Sequence, residues 1–333
     1  MREGKSMIRE YGGYLPVDTR GEEFFADSVY DNTILRLNAA RYAIIEAYKI
    51  GDYDKLWIPV YMCASVYDAI KSDGTVTYDF YNVNDRLEPD INGIRMKDCI
   101  LIPNYFGQKN KSFYLEQITK FRNVIFDNTQ CFYTEPVMNS GVFNVYSPRK
   151  FFGVSDGAYL IGKDVNSSIQ SKYSVDMSAN RIGFVFESFE KGTNISYMKY
   201  LDSEKDISES GVKTMSKVTM ALLGNIDYKE IHKRRLTNYR ILCKEFKEIN
   251  EIQINEEATS PMIYPLLIRN DGLRKRMVDS RIYIPQWWKI VIKNPKANNW
   301  ERYISEFLYP LPIDQRYKKD DMHSMAEKIK GLM

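Results

Sequence analysis

The chain has 333 residues, enough for one large domain and a smaller one, each with its own core. Hydrophobic residues make up 44%, so a packed globular protein is expected, and 47 Lys+Arg against 44 Asp+Glu leave a net charge of only +3, which gives no case for nucleic acid. Four widely spaced cysteines without a CxxC, and two histidines, His232 and His323, argue against a zinc site, a disulfide scaffold and histidine-based hydrolysis. The start, MREGKSMIRE, lacks the apolar core of a signal peptide, and no run of about 18 apolar residues is present, so a soluble, cytoplasmic protein without a membrane partner is expected.

In chain order, Asn38 reads as the N-cap of a helix through ARYAIIEAYKI, with Ala40, Ala43, Ile44, Ala47 and Tyr48 on one face and Gly51 as its stop. A short apolar run, LWIP, precedes a helix through SVYDAIKS that ends near Gly74. The strand-like VTYDFYNV and CILIPNYF follow, then a helix around FYLEQITKF and the strands VIFD and VFNVYS. Short apolar strands alternating with helices predict βαβ units in a mostly parallel sheet. From 213 to 250 the chain reads as two helices with Gly224 between them, the later one long and charged. Beyond Pro261, MIYPLLIR and RIYIP read as strands, DGLRKRMVDS as a helix, and KKDDMHSMAEKIKGL as a closing amphipathic helix. The division this implies is a large α/β domain over 1–225 and a small C-terminal α+β domain over 226–333 that begins with the long helix.

Ligands of an open parallel sheet bind beyond the carboxyl ends of its strands. LWIP leads into Val60, Tyr61, Met62 and Cys63, and CILIP into Asn104, Tyr105, Phe106 and Gly107. VIFD ends in Asp127 with Gln130 three residues on, and VFNVY ends before Ser147 with Lys150 three residues on. Pyridoxal phosphate needs this inventory. A lysine amine holds the aldehyde and shuttles protons, while a carboxylate keeps the pyridine nitrogen protonated. The phosphate takes a hydroxyl and the free N–H groups of a helix start. Lys150, Asp127, Ser147 and the segment Ala39 to Arg41 could fill these roles, although Asp127 read alone is equally a structural residue of a strand-end turn.

The succession of AARYAI, WIPVYMC, IPNYFGQ, VIFDNTQ and YSPRKFFGVSDGAYLIG resembles the DegT/StrS-type sugar aminotransferases of pyridoxal phosphate fold type I, in a divergent branch. The resemblance spans nearly the whole chain. It includes YGGYLPV near the start, IDYKEIHKRRLTNYRIL as the helix leading into the small domain, and LYPLPIDQRYKKDDM as a closing signature. It implies a mostly parallel seven-stranded sheet and a homodimer with sites at the subunit interface. It also implies transfer of an amino group from an amino acid such as glutamate to a nucleotide-linked keto-sugar, in surface polysaccharide or lipopolysaccharide biosynthesis. Residue by residue, Asp127 matches the partner of the pyridine nitrogen and Gln130 the glutamine near the ring. Ser147 matches the phosphate-binding serine, Lys150 the lysine that holds the cofactor, and Ala40 and Arg41 the phosphate turn.

This chain departs from the family in several places. The spacing from Ser147 to Lys150 is three where the family has five, and Ala40-Arg41 stands where the family has Gly-Thr or Gly-Ser. Arg41 could supply its own phosphate contact. Cys63 aligns with the aromatic residue that stacks on the ring, leaving Tyr61 or Tyr105 as substitutes, and the family's glycine-asparagine-arginine loop has no clean match over 192–197. These departures keep a non-catalytic or regulatory relative as the alternative. A dehydration on a related sugar goes with histidine in place of the lysine, against Lys150. Trp287 and Trp288 read as core or dimer packing before sugar stacking, Lys233, Arg234 and Arg235 as a solvated face, the histidines as surface residues, and Cys131 as a small buried hydrophobe.

Overall fold

The computed structural model describes residues 21–30 and 32–333, so the YGGYLPV segment lies outside the described residues. The first half contains α1 (Asp27–Tyr30), β1 (Ile34–Leu37), α2 (Ala40–Ile50), β2 (Lys55–Pro59) and α3 (Ala64–Asp73). It continues with β3 (Tyr78–Val83), β4 (Pro89–Asp90), β5 (Asp98–Pro103), α4 (Lys111–Lys120), β6 (Val124–Asp127), β7 (Val142–Tyr146) and β8 (Ala158–Ile161). The second half contains α5 (Gly183–Lys191), α6 (Tyr197–Glu209), α7 (Lys217–Leu223), α8 (Tyr228–Phe246) and β9 (Ile263–Leu267). It closes with α9 (Leu273–Asp279), α10 (Asn299–Phe307), β10 (Leu308–Pro312) and α11 (Lys319–Leu332).

Strands β1 to β8 form one sheet in the order β1-β8-β7-β6-β5-β2-β3-β4. The neighbours from β7 across to β3 pair in parallel, whereas β8 runs antiparallel to both β7 and β1. The expected seven-stranded sheet is therefore present, with the two-residue β4 added antiparallel on the β3 edge. Every residue of β5, β6 and β7 is buried, because helices and loops cover both faces. Leu101, Ile125 and Phe143 pack with α2 and α3 on one side, and Ile102, Val124 and Phe126 pack with Tyr114 and Phe113 on the other. β9 and β10 make a separate antiparallel pair whose core takes Tyr239 and Leu242 from α8, Met277 from α9 and Ile329 from α11.

Three expectations are corrected. Asn38 does not cap α2. Ala39 holds that position, and the Asn38 amide instead donates to Gly211 O at 2.9 Å and accepts from Lys213 N at 3.1 Å, tying β1 to the segment after α6. RIYIP is irregular, because β10 is the strand that pairs with β9 and Arg281 at φ 64 turns the chain away from the extended region. β10 escaped the sequence reading because its prolines cannot donate to a ladder, yet Pro310 sits directly opposite Pro265, at a pair that asks for no N–H. Finally, the basic run of α8 divides. Lys233 is exposed, but Arg235 is buried, with its guanidinium 4.5 Å over the Phe151 ring and Nη2 donating to Met262 O at 2.6 Å. Charge-assisted and cation–π contacts offset the desolvation there.

The turn Asp156-Gly157 sends the chain back as β8, and Gly157 takes φ 119, where an added Cβ would stand 2.9 Å from Pro148 Cγ. Asp156 is fully buried and accepts from Ser216 N at 2.7 Å, Ser216 Oγ at 2.8 Å and Thr219 Oγ1, fastening the first turn of α7 beneath the lysine loop. Asp156→Ala orphans all of these donors and is expected to destabilise the protein by about 3 kcal/mol. Urea unfolding followed by circular dichroism checks this, and a loss under about 1 kcal/mol would show the network to be dispensable.

Candidate functional site at the carboxyl edge of the sheet

Strand register brings the chemistry to one edge. Pro103 pairs with Asp127, and Asp127 with Val145, so the chain leaves β5, β6 and β7 at one level. Because β8 is antiparallel and β1 pairs with it, Leu37 lies opposite Ala158 and delivers the start of α2 to the same edge. A cavity of about 460 Å³ opens there, lined by Ala40, Arg41, Cys63, Asp127, Gln130, Ser147 and Lys150 among others. Of the residues matched to the cofactor site from sequence, Tyr105 stands behind this wall, as does Tyr61, its alternative as a stacking ring. Tyr105 is fully buried, its hydroxyl donates to Tyr61 O at 2.8 Å, and its ring packs 5.9 Å from Trp288.

Lys150 ends a 3-10 turn, Pro148–Lys150, that Ser147 enters in extended conformation. Its Nζ donates to Thr129 Oγ1 at 2.9 Å, and Thr129 N in turn donates to Asp127 Oδ1 at 3.0 Å. Amine, hydroxyl and carboxylate are thus linked on one wall, with Asp127 only 8% exposed. Thr129 escaped the sequence reading, although it sits inside the D-x-x-Q stretch that pointed to its neighbours. Gln130 accepts from Phe106 N at 2.8 Å and holds the left-handed Phe106 (φ 61) in its turn. The loop is braced from the C-terminal half, where Gln315 Nε2 donates to Phe151 O at 2.8 Å.

A second wall is cationic. Ala40 and Arg41 open α2, whose first N–H groups have no acceptor within the helix. The Arg41 Nη2 lies 3.9 Å from Glu204 Oε2, and Arg149 Nη2 pairs with Glu204 Oε1, so one carboxylate from α6 bridges two guanidinium groups. Arg149 Nε is buried with no acceptor among the described residues. Sequence reading missed Arg149 and Glu204. Arg149 is a direct neighbour of Lys150, and Glu204 belongs to a helix whose apolar and charged residues gave no strand-end cue.

The remaining wall is aromatic and apolar. Trp287 and Trp288 line the cavity while also packing on the core, Trp287 stacked on Phe106 at 5.8 Å and 25°. The packing reading was half of the answer, because the same rings face the cavity. Tyr61, like Tyr105, is fully buried, and burial pushes both hydroxyls well above the usual tyrosine range. Neither ring stands in for an aromatic at Cys63, whose Sγ lies 3.1 Å from Ser65 Oγ. Burial pushes the Cys131 thiol up to about 12, in keeping with its role as a small buried hydrophobe.

Tested against this donor set, pyridoxal phosphate fits. A primary amine and a buried carboxylate share one wall, a helix start with two arginines forms another, and flat rings line a third. No protein-family model and no curated protein matches the sequence. Solved structures do match, and they define the class of architecture as the pyridoxal-phosphate-dependent transferase fold of type I. Sugar aminotransferase Spr1654 from Streptococcus pneumoniae, in its PLP-form, is 14% identical with a TM-score of 0.64 over 92% of this chain and 88% of that one. Sugar aminotransferase CalS13 from Micromonospora echinospora is 14% identical with a TM-score of 0.62 over 92% and 89%. A DegT DnrJ EryC1 StrS aminotransferase from Brucella abortus is 10% identical with a TM-score of 0.53 over 90% and 85%.

Proposed function

We propose that this protein is a pyridoxal-phosphate-dependent aminotransferase that moves an amino group from an amino acid, glutamate, to a nucleotide-linked keto-sugar, in the cytoplasm and toward surface polysaccharide. The observation that carries this reading is the linked set Lys150, Thr129 and Asp127 on one wall of the strand-end cavity. Bound pyridoxal phosphate supplies an electron sink for the charge left when a substrate carbon gives up a proton. Lys150 Nζ takes that proton and returns it, and Thr129 Oγ1 steers the amine while it is free. Asp127 keeps a proton on the ring nitrogen through its negative charge. Ala40, Arg41 and Ser147 hold the phosphate, and Trp287 and Trp288 offer flat faces to a sugar or base and exclude water.

A homodimer belongs to this reading. Phe189, Met198 and Ile195 on α5, α6 and their connection are 92%, 66% and 62% exposed, an apolar face of the kind that a second copy covers. The opposite sides of these helices line the cavity through Phe184, Tyr200 and Glu204, so such an interface would abut the site. No helix among the described residues is long and apolar enough to cross a membrane.

The test is a half-reaction. Protein incubated with pyridoxal phosphate is expected to show a visible absorption band that glutamate bleaches and a nucleotide-linked keto-sugar restores, in a particle with the mass of two chains. A band that no amino acid bleaches, or no band at all, sinks the aminotransferase reading, and a single-chain mass sinks the dimer.

A further inference from the structure

We propose that Arg41 and Arg149 form a two-arginine seat for a phosphate monoester, and that Glu204 is the seat's built-in counter-anion, which the phosphate displaces. The inference rests on the cofactor reading above and deepens it. The two guanidinium side chains are only 12% and 15% exposed, and they reach the cavity from different elements, the first turn of α2 and the turn that ends in Lys150. Left bare, two partly desolvated cations in one wall repel each other and are costly to hold. Glu204 answers this by placing one oxygen on each of them.

The carboxylate is nonetheless an incomplete partner. It carries one charge and meets Arg41 only at 3.9 Å, while Arg149 Nε is buried without an acceptor among the described residues. A phosphate monoester brings close to two negative charges and three acceptor oxygens, which suit the guanidinium fork and the free N–H groups at the start of α2. Glu204 can also leave. It is itself 30% exposed, α6 buries only Ser203 and Ile207, and α5 buries no residue, so within its own chain the hairpin is held by few apolar contacts. The seat is therefore closed on itself when empty, and an entering phosphate must compete with Glu204 for both arginines. Such competition lowers the apparent affinity by the fraction of seats that are open.

The experiment titrates apo protein in phosphate-free buffer with pyridoxal phosphate and, separately, with pyridoxal, which presents the same aldehyde without the anion. Glu204→Gln keeps the shape and removes the charge, and is expected to tighten pyridoxal phosphate ~10-fold while leaving pyridoxal within ~2-fold. Arg149→Gln is expected to weaken pyridoxal phosphate ~10- to 100-fold, again sparing pyridoxal. A misfolded variant would lose both ligands together and so cannot mimic either result. Glu204→Gln leaving pyridoxal phosphate unchanged, or shifting pyridoxal equally, overturns the proposal. Tightening of uridine diphosphate with none for pyridoxal phosphate also overturns it, since the seat would then serve the substrate's diphosphate. If wild-type protein takes up neither aldehyde, the cofactor reading fails and the seat is judged on inorganic phosphate by calorimetry. There the same tightening by Glu204→Gln upholds it, and equal binding overturns it.

Discussion

Lys150→Ala is expected to abolish the visible absorption band of protein incubated with pyridoxal phosphate and to lower turnover at least ~1,000-fold. Lys150 supplies the only step in the proposed reaction that moves a proton at carbon, and Thr129, which accepts its hydrogen bond at 2.9 Å, has no basic group to replace it. The residue is exposed on the cavity side, so its removal is expected to cost stability no more than about 0.5 kcal/mol, and an intact unfolding curve should accompany the lost activity. Borohydride treatment gives an independent readout, since it should fix the cofactor to the wild-type chain and not to the variant. Turnover that survives in Lys150→Ala would remove the aminotransferase assignment. A wild-type protein that binds the cofactor through Lys150 and yet turns over no donor would favour the non-catalytic relative.

Asp127→Asn is expected to keep the cofactor and lose the rate. Asparagine retains an oxygen for Thr129 N, now accepting at 3.0 Å, so the link from β6 to Lys150 keeps its geometry. What disappears is the negative charge in a site where Asp127 is 8% exposed and solvent screens little. A preorganised charge aimed at a group that changes charge during reaction is worth about 100- to 1,000-fold in kcat, and a loss of that size is the expected outcome. Cofactor binding by visible titration should change less than ~10-fold, because the arginine wall and Lys150 are untouched. If kcat stays within a factor of about three of wild type, Asp127 is a strand-end turn residue and nothing more.

The strand ends were legible because they combine two local signals. VIFD and VFNVYS are short and, apart from the buried Asn144, apolar until the last residue, so the polar group that ends each run marks where the chain leaves the sheet. That is why Asp127, Ser147 and Lys150 are legible in the sequence, and the register of Asp127 with Val145 brings the ends of β6 and β7 to one edge. Tyr105 was named by the same rule and does not reach the cavity. The left-handed Phe106 reverses the chain there, and Tyr105 turns into the core to meet Tyr61 O. A tyrosine's apolar ring and polar tip suit both settings, so its position in sequence does not choose between them.

Glu204 lies far along the chain from the strand ends, on a helix whose own pattern says nothing of a site, and Trp287 and Trp288, which read from sequence as packing before sugar stacking, line the cavity as well as the core. Arg235 shows the same limit in reverse, since a basic run on a helix is solvated unless something packs over it, and here Phe151 does. RIYIP carried a strand's composition but found no free edge, whereas β10, with its prolines, found one opposite Pro265.

The sequence by itself determined the alternation of strands and helices, and hence a mostly parallel sheet with its polar chemistry at the carboxyl edge, because periodicity and strand termination are local properties of the chain. Only the tertiary structure decided the antiparallel seat of β8, the bridging of Arg41 and Arg149 by Glu204, and the closing of the cavity by Trp287 and Trp288. Those features depend on which distant segments meet, and that is set by the joint burial of apolar faces and the pairing of desolvated charges, neither of which any short stretch encodes.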